Sequence, residues 1–227
     1  MHNKYFFRSR ISEAQFRRLI YLFVIDMEAT KITALTGLNR NTVNRILKLL
    51  RIRLAKLSEQ EQARRTGIFE LDECYLGARR VRGKRGRGAK GKTILFGIYE
   101  RISRHVYVRI VHNVKRHTLM RVIESNISHE STIYTDGFRV YDSLMKAGFK
   151  YHGKVIHGDN EFVRGSVHVN GIEGFWSVLK TRLSKFRGLG SKAHIFLHVK
   201  ECEFRFNHRG ENLYSLILTN LRNSPLN

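Results

Sequence analysis

The hydrophobic pattern of this chain changes period at Ile68, and the residues beyond that point narrow the fold to one class. Before it, apolar residues recur at helical spacing. IFELDECYLG, KTILFGIYER and RHVYVRIVHN are then three successive runs rich in β-branched and aromatic residues, the composition of strands. RHTLMRVIESNI returns to helical spacing through Leu119, Val122, Ile123 and Ile127. STIYTDGFRVYDSLMKAG reads as a strand ending at Asp136-Gly137, then a helix. YHGKVIHG is a fifth strand, and HVNGIEGFWSVLKTRL is the helix after it. Three hairpin-linked strands followed by alternating helices and strands predict an α/β (α+β) domain, a mixed sheet flanked by helices.

Composition decides what such a domain works on. The chain has 227 residues, enough for one medium domain and a small one. Its 42 Lys and Arg against 19 Asp and Glu give a formal charge of +23, which favours a polyanionic partner, above all nucleic acid. An acidic membrane is the weaker alternative, because no apolar run reaches the roughly 18 residues of a spanning helix. No export signal is visible at the start, MHNKYFFRSRIS. Cys74 and Cys202 form no CxxC pair, which excludes a zinc ribbon and fits the reducing cytoplasm, where a DNA-acting protein would sit on the nucleoid.

Residues 1–62 read as a small helical domain and 63–227 as the second domain. Ser12 and Gln15 form a capping box opening SEAQFRRLIYLFVIDMEA. In TKITALTGLNRNTVNRILKLLRIRL, Ile32, Leu35, Leu38, Val43, Ile46 and Leu47 fit two short helices broken at Gly37-Leu38-Asn39, with Asn39 capping the second. That second helix would present Arg40, Asn41, Asn44, Arg45 and Lys48 outward. A short helix, a glycine turn and a second helix rich in Arg and Asn is the layout of a helix-turn-helix that reads DNA bases. A plain helical hairpin with a solvated basic face is the competing reading. LSEQEQARRTG is the expected linker.

Between the first two strands, GARRVRGKRGRGAKGKT carries Arg79, Arg80, Arg82, Lys84, Arg85, Arg87, Lys90 and Lys92 among glycines. Its segment 86–93 matches GxxxxGK[ST]. A phosphate-binding loop must follow a buried strand and open a helix, whereas here a basic loop precedes and TILFGIYE is strand-like. No nucleotide site is expected, and the eight cations are read as an arm laid along DNA phosphates.

In the last helix pattern Ile172, Phe175, Trp176, Leu179, Leu183 and Phe186 form one apolar stripe, and Asn170, Glu173, Ser177, Lys180 and Ser184 a second. Glu173 and Lys180 thus line up two turns apart beside the buried face. Asp72 lies in a strand among Phe69, Leu71, Tyr75 and Leu76, an odd position for a carboxylate unless it holds a cation. Asp136 closes another strand. Two carboxylates on strands and one on a helix, at one sheet edge, suit Mg²⁺ and the two-ion chemistry of phosphodiester cleavage.

Asp72 in LDECYLG, Asp136 in YTDG, and HVNGIEGFWSVLK together resemble the DDE transposases of bacterial insertion sequences. The likeness is to the ISXO2-like transposase domain, in the branch whose third acid is Glu followed seven residues later by Lys. It runs from about residue 65 to residue 210 and includes the closing KECEFRFNHR. It implies a ribonuclease-H-like core, two Mg²⁺ (or Mn²⁺) ions, and strand cleavage and transfer at terminal inverted repeats. Asp72, Asp136 and Glu173 would be the catalytic metal ligands, Lys180 a contact to the transposon end, and Asn170 a helper beside Glu173. The partners implied are double-stranded DNA, as transposon ends and target, and further copies of the chain as a homodimer or larger assembly on DNA. The cysteine-rich zinc ribbon that many relatives carry at the N-terminus is not in this sequence. Of the histidines, His157 and His168 flank the expected site, and His194 and His198 stand at i,i+4 without an evident third ligand, so DNA contact or packing is the preferred reading. The alternative function is a catalytically inactive DNA-binding protein, a decayed element product or a repressor of transposition.

Overall fold

The computed structural model describes residues 3–61, 64–77, 92–136, 138–155, 169–186 and 191–227. Ser12 accepts a hydrogen bond from the Gln15 amide while the Gln15 side chain returns to the Ser12 amide, and this box starts α1 (Glu13–Val24). Phe16, Leu19, Ile20, Leu22 and Phe23 are its buried side. α2 (Ala29–Thr36) ends where Gly37 takes the left-handed conformation at φ 68°, which costs glycine no steric strain. Asn39 then accepts from the Asn41 amide at 2.8 Å and starts α3 (Arg40–Gln60). Val43, Ile46 and Leu47 are buried, but Leu35, expected inside, is 45% exposed. α2 is a short helix whose buried residue is Ile32. α3 takes up the first residues of the expected linker, because Leu50, Leu54, Ala55 and Ser58 prolong its buried stripe.

The sheet is built from β1 (Ile68–Leu76), β2 (Thr93–Glu100), β3 (His105–Val111), β4 (Thr132–Asp136) and β5 (Tyr151–Val155), with α4 (Arg116–Asn126) crossing from β3 to β4. Its order is β3-β2-β1-β4-β5. β1, β2 and β3 are antiparallel neighbours, and β4 and β5 run parallel to β1. This is the ribonuclease-H-like arrangement. The helix expected after β4 is instead two 3-10 turns, Arg139–Ser143 and Met145–Ala147. Tyr141 and Leu144 are buried there, and Gly148 at φ 87° ends the segment before β5. α5 (Asn170–Ser184) and α6 (Lys192–Asn207) complete the domain. Thr93, the end of the phosphate-loop-like match, opens β2 and no helix. The basic residues Arg79, Arg80, Arg82, Lys84, Arg85, Arg87 and Lys90, the end of the expected fifth strand, His157 and His168 lie outside the described residues.

Strand alternation divides the core between two faces. Phe69, Leu71, Phe96, Ile98, Tyr107 and Ile133 meet Leu119, Met120 and Ile123 of α4, together with Tyr141, Leu144 and Phe149. Cys74, Leu95, Tyr99, Val106, Val108 and Tyr134 meet Ile172, Phe175, Trp176, Leu179 and Leu183 of α5, with Val199 and Cys202 of α6.

The chain separates into two compact units, Glu59–Asn207 and the pair Met1–Ser58 with His208–Asn227. The last segment, expected within the second domain, belongs to the helical unit. Its helix α7 (Leu213–Asn223) buries Ile217 and Leu221, and Tyr214 meets Tyr21 of α1 edge-on. The Phe7 amide donates to the Leu226 carbonyl at 2.8 Å, and the Leu226 amide donates to the Tyr5 carbonyl at 2.9 Å. Among the described residues no helix is long and apolar enough to cross a membrane.

β3 is the outer strand on one side, so its outward backbone groups need partners from elsewhere. α6 supplies them with side chains. Asn207 accepts from the Val106 amide at 2.8 Å and donates to the Val106 carbonyl at 2.9 Å. Glu203 accepts from the Val108 amide at 2.9 Å and is clasped through both oxygens by Lys200, all of it buried. Asn207→Ala should strand two buried backbone groups and cost about 2 kcal/mol or more. Urea unfolding should then show a lower midpoint with an unchanged slope, and an unmoved midpoint would mean that this edge finds other partners.

Candidate active site

The register of two strands brings the first two acids together. β1 and β4 pair in parallel as far as Leu71 opposite Thr135. One step further along both strands stand Asp72 and Asp136, at the end of β4. Asp136 accepts from the Phe138 amide at 3.1 Å, which tightens the chain's exit from the strand. Its backbone carbonyl accepts from the Thr135 hydroxyl at 2.9 Å.

The third acid arrives on α5, and the position of that helix is over-determined. Asp72 faces Gly97 across the antiparallel β1–β2 pair. A Cβ on Gly97 would lie 2.5 Å from Trp176 and 2.7 Å from Ile172, so the missing side chain is the seat of the indole. From there the Trp176 Nε1–H donates to Asp72 Oδ2 at 3.0 Å. Gly171 gives a second close approach, since a Cβ there would lie 2.2 Å from the Tyr99 ring. Val169 offers no side-chain cap to α5. Glu70 does so from the sheet, accepting the Ile172 amide at 3.0 Å with one oxygen and the Arg101 Nε–H at 2.7 Å with the other. Arg101 in turn lies over the Tyr134 ring at 4.1 Å. Glu173, in the first turn of α5, is exposed.

The three carboxyls share one electrostatic field. Asp72 is raised from 3.8 to about 6, chiefly by burial, with the charges of Asp136 and Glu173 pushing in the same direction. A backbone hydrogen bond and the Trp176 indole oppose that rise. No three His, Cys, Asp or Glu side chains among the described residues are gathered as a ready-made cation cage. The oxygen donors that α5, β1 and β4 bring to one sheet end nonetheless match a hard divalent cation. Further along α5, Lys180 is exposed and lowers the neighbouring Cys74 thiol, which burial raises to about 11. Asn170 is exposed at the first position of the helix.

Elsewhere, the expected residues separate. Arg40, Asn41, Asn44, Arg45 and Lys48 are all exposed on α3, in the helical unit. Lys92 is partly buried just before β2. His198 packs its ring on Phe186 at 4.3 Å between centroids, which supports packing over metal binding. Sequence reasoning missed Glu70, which stands two residues before Asp72 on the same sheet face, and treated Trp176 only as an apolar residue. It also left unread the buried polar side chains of KECEFRFN. Arg182 and Arg205 both pair with Glu201, and Lys200 pairs with Glu203.

Residues 65–207 match the family model of the ISXO2-like transposase domain. An uncharacterized transposase-like protein of Haemophilus influenzae is 40% identical over 103 residues, 45% of this chain and 81% of that protein. A protein in the transposable element ISH50 of Halobacterium salinarum is 34% identical over 172 residues, 67% of this chain. The chain spans 57% of that second relative's length. Among solved structures, the catalytic core domain of BIV integrase superposes with a TM-score of 0.41 at 12% identity, over 69% of this chain and 96% of that one. The HTLV-2 integrase catalytic core domain, in complex with magnesium, gives 0.38 at 10% identity, over 63% and 85%.

Asp72 makes this site's charge measurable as stability. A carboxyl whose folded pKa lies above its unfolded value contributes stability fully below the unfolded value, near 3.8, and loses it as pH rises through about 6. The ionised form therefore costs on the order of 2–3 kcal/mol at pH 8 in the absence of a cation. Asp72→Asn should unfold later than wild type in chelator at pH 8, with the advantage vanishing near pH 4. Parallel pH profiles of urea unfolding for the two proteins would show that Asp72 is not held under this strain.

Proposed function

Since the chain belongs to the ISXO2-like transposase domain family, we propose that it cuts DNA strands at the terminal inverted repeats of an insertion sequence and joins them to target DNA. Asp72, Asp136 and Glu173 are the catalytic residues in this reading and would hold two divalent cations, Mg²⁺ or Mn²⁺. The observation that carries it is the meeting of Asp72 and Asp136 along the β1–β4 register, inside a field to which Glu173 contributes. A carboxyl that burial, and then neighbouring acids, push upward is stabilised by a cation that joins them.

Such ions, when bound, supply the activation of the attacking oxygen and the neutralisation of the leaving one. The chain's own groups do the rest. Asp72 and Asp136 stand on strands that fix their spacing, and Glu173 closes the site from the helix. Lys180, two turns along from Glu173, offers a point charge to a phosphate of the transposon end. Asn170, one turn before Glu173, adds amide donors and an acceptor beside it. In the helical unit, α3 presents Arg40, Asn41, Asn44 and Arg45 to base edges in a helix-turn-helix manner. Arg79, Arg80, Arg82, Lys84, Arg85, Arg87, Lys90 and Lys92 run along phosphates and add salt-sensitive affinity. The working form is a homodimer or larger assembly of this chain on double-stranded DNA, in the cytoplasm on the nucleoid.

Asp136→Asn keeps size and hydrogen bonding but removes one ligand charge. It should abolish Mg²⁺-dependent nicking and joining of terminal-repeat DNA while leaving binding to that DNA intact or slightly tighter. Gel-shift and cleavage assays run side by side on wild type and variant measure both. Nicking at near wild-type rate would remove Asp136 from the ligand set, and a wild type that binds its ends but never cuts would favour the non-catalytic DNA-binding reading.

Base reading and backbone binding should also separate. Asn41→Ala with Asn44→Ala, both exposed on α3, should erase the preference for terminal-repeat over random DNA. Weak, salt-dependent binding should persist, because phosphate contacts carry no sequence information. Competition binding at two salt concentrations distinguishes the outcomes. An unchanged preference would show that α3 is not the reader.

A further inference from the structure

The indole that sits in the Gly97 gap touches the proposed ligand set through one atom. Trp176 Nε1–H donates to Oδ2 of Asp72 at 3.0 Å, and the ring is 3% exposed. Nothing about the ring is free to turn. Gly97 receives it from below, with the distance from an added Cβ to its six-membered edge only 2.5 Å, and Phe175 lies against it at 5.2 Å between centroids. The terminal torsion of an aspartate is broad and nearly two-fold when nothing holds it. Here one oxygen is held by the packed indole, and the Glu73 amide also donates to the carboxyl, so the torsion is set from two sides. Trp176 also stands one turn after Glu173, so a single turn of α5 carries one acid and the orienting group of another.

Resting on the reading of Asp72 as a cation ligand, we propose that Trp176 is a positioning residue: its N–H commits Asp72 Oδ2 and presents Oδ1 to the divalent ion. A partner that orients a ligand in this way is typically worth about 10–100-fold in metal affinity. Trp176 is the one tryptophan of the chain. Its emission therefore reports on a single hydrogen bond, to the carboxylate that a cation would polarise.

The test uses the full chain without DNA and Mn²⁺ as the probe. Free Mn²⁺ is counted by electron paramagnetic resonance for wild type, Trp176→Phe and Asp72→Asn, and tryptophan emission is titrated with Mg²⁺ for wild type and Asp72→Asn. Trp176→Phe is expected to bind Mn²⁺ about 10–100-fold more weakly. Wild-type emission should change saturably with Mg²⁺, and that change should be lost in Asp72→Asn. Because Trp176→Phe loses packing as well as the donor, a second replacement with β-benzothienylalanine keeps the bicyclic shape and substitutes sulfur for N–H. It should weaken Mn²⁺ binding as Trp176→Phe does. Wild-type affinity in the benzothienyl protein would overturn the positioning role and leave Asp72 as a ligand. Wild-type affinity in Asp72→Asn would instead overturn the ligand reading beneath it.

Discussion

The seating of Trp176 in the side-chain-free space over Gly97 is the contact from which the sheet-containing unit of this molecule takes its geometry. A helix lying on a sheet can slide along it until something interlocks, and ordinary aliphatic packing resists sliding only weakly. Here a large ring enters a gap in β2, the Gly171 backbone lies against the Tyr99 ring, and Glu70 receives an amide from the first turn. The three constraints act at different points on the first two turns of α5. Translation, rotation and tilt are fixed together, and with them the place of Glu173 in the first turn of the helix.

Acids are scarce in this chain, and the buried ones fall into two kinds. Glu70 pairs with Arg101, Glu201 with Arg182 and Arg205, and Glu203 with Lys200. Each of these carboxylates also connects two elements or lies against a backbone edge, so its charge is compensated where it serves the architecture. Asp72 differs. The charges acting on it are those of two further acids, Asp136 and Glu173, and they add to the rise that burial imposes. Among the described residues, the structural acids are thus paired with cations, while the charges that act on Asp72 have its own sign.

Much of this was legible because it is written in short-range patterns. The Ser12–Gln15 box, the Asn39 cap, the five strands and the two stripes of α5 each depend on residues within a turn or two of one another. The adjacent acids Asp72 and Glu73 differ by strand alternation: the first reaches Trp176, and the second receives the Tyr141 hydroxyl on the other face. What escaped was decided by distant chain. Glu70 looks like any strand acid until α5 and Arg101 arrive beside it. Lys200, Glu203 and Asn207 carry no local sign of burial, yet all three are buried, Glu203 and Asn207 on the amides of the outer strand and Lys200 on Glu203. The segment after β4 forms two 3-10 turns that bury Tyr141 and Leu144 against the sheet, and the tail from His208 joined the helical unit through contacts that no local pattern announces.

The side-chain seal on β3 has a consequence for how copies of this chain meet. An exposed outer strand is a template on which another chain's strand can hydrogen-bond, extending the sheet from one molecule into the next. At Val106 and Val108 that template is already occupied by an amide and a carboxylate from the same chain. A newcomer would have to displace α6 and strip Glu203 and Asn207 of their backbone partners. Continuous sheets across two molecules are thus opposed at Val106 and Val108, and a second copy of this chain would have to join through other surfaces.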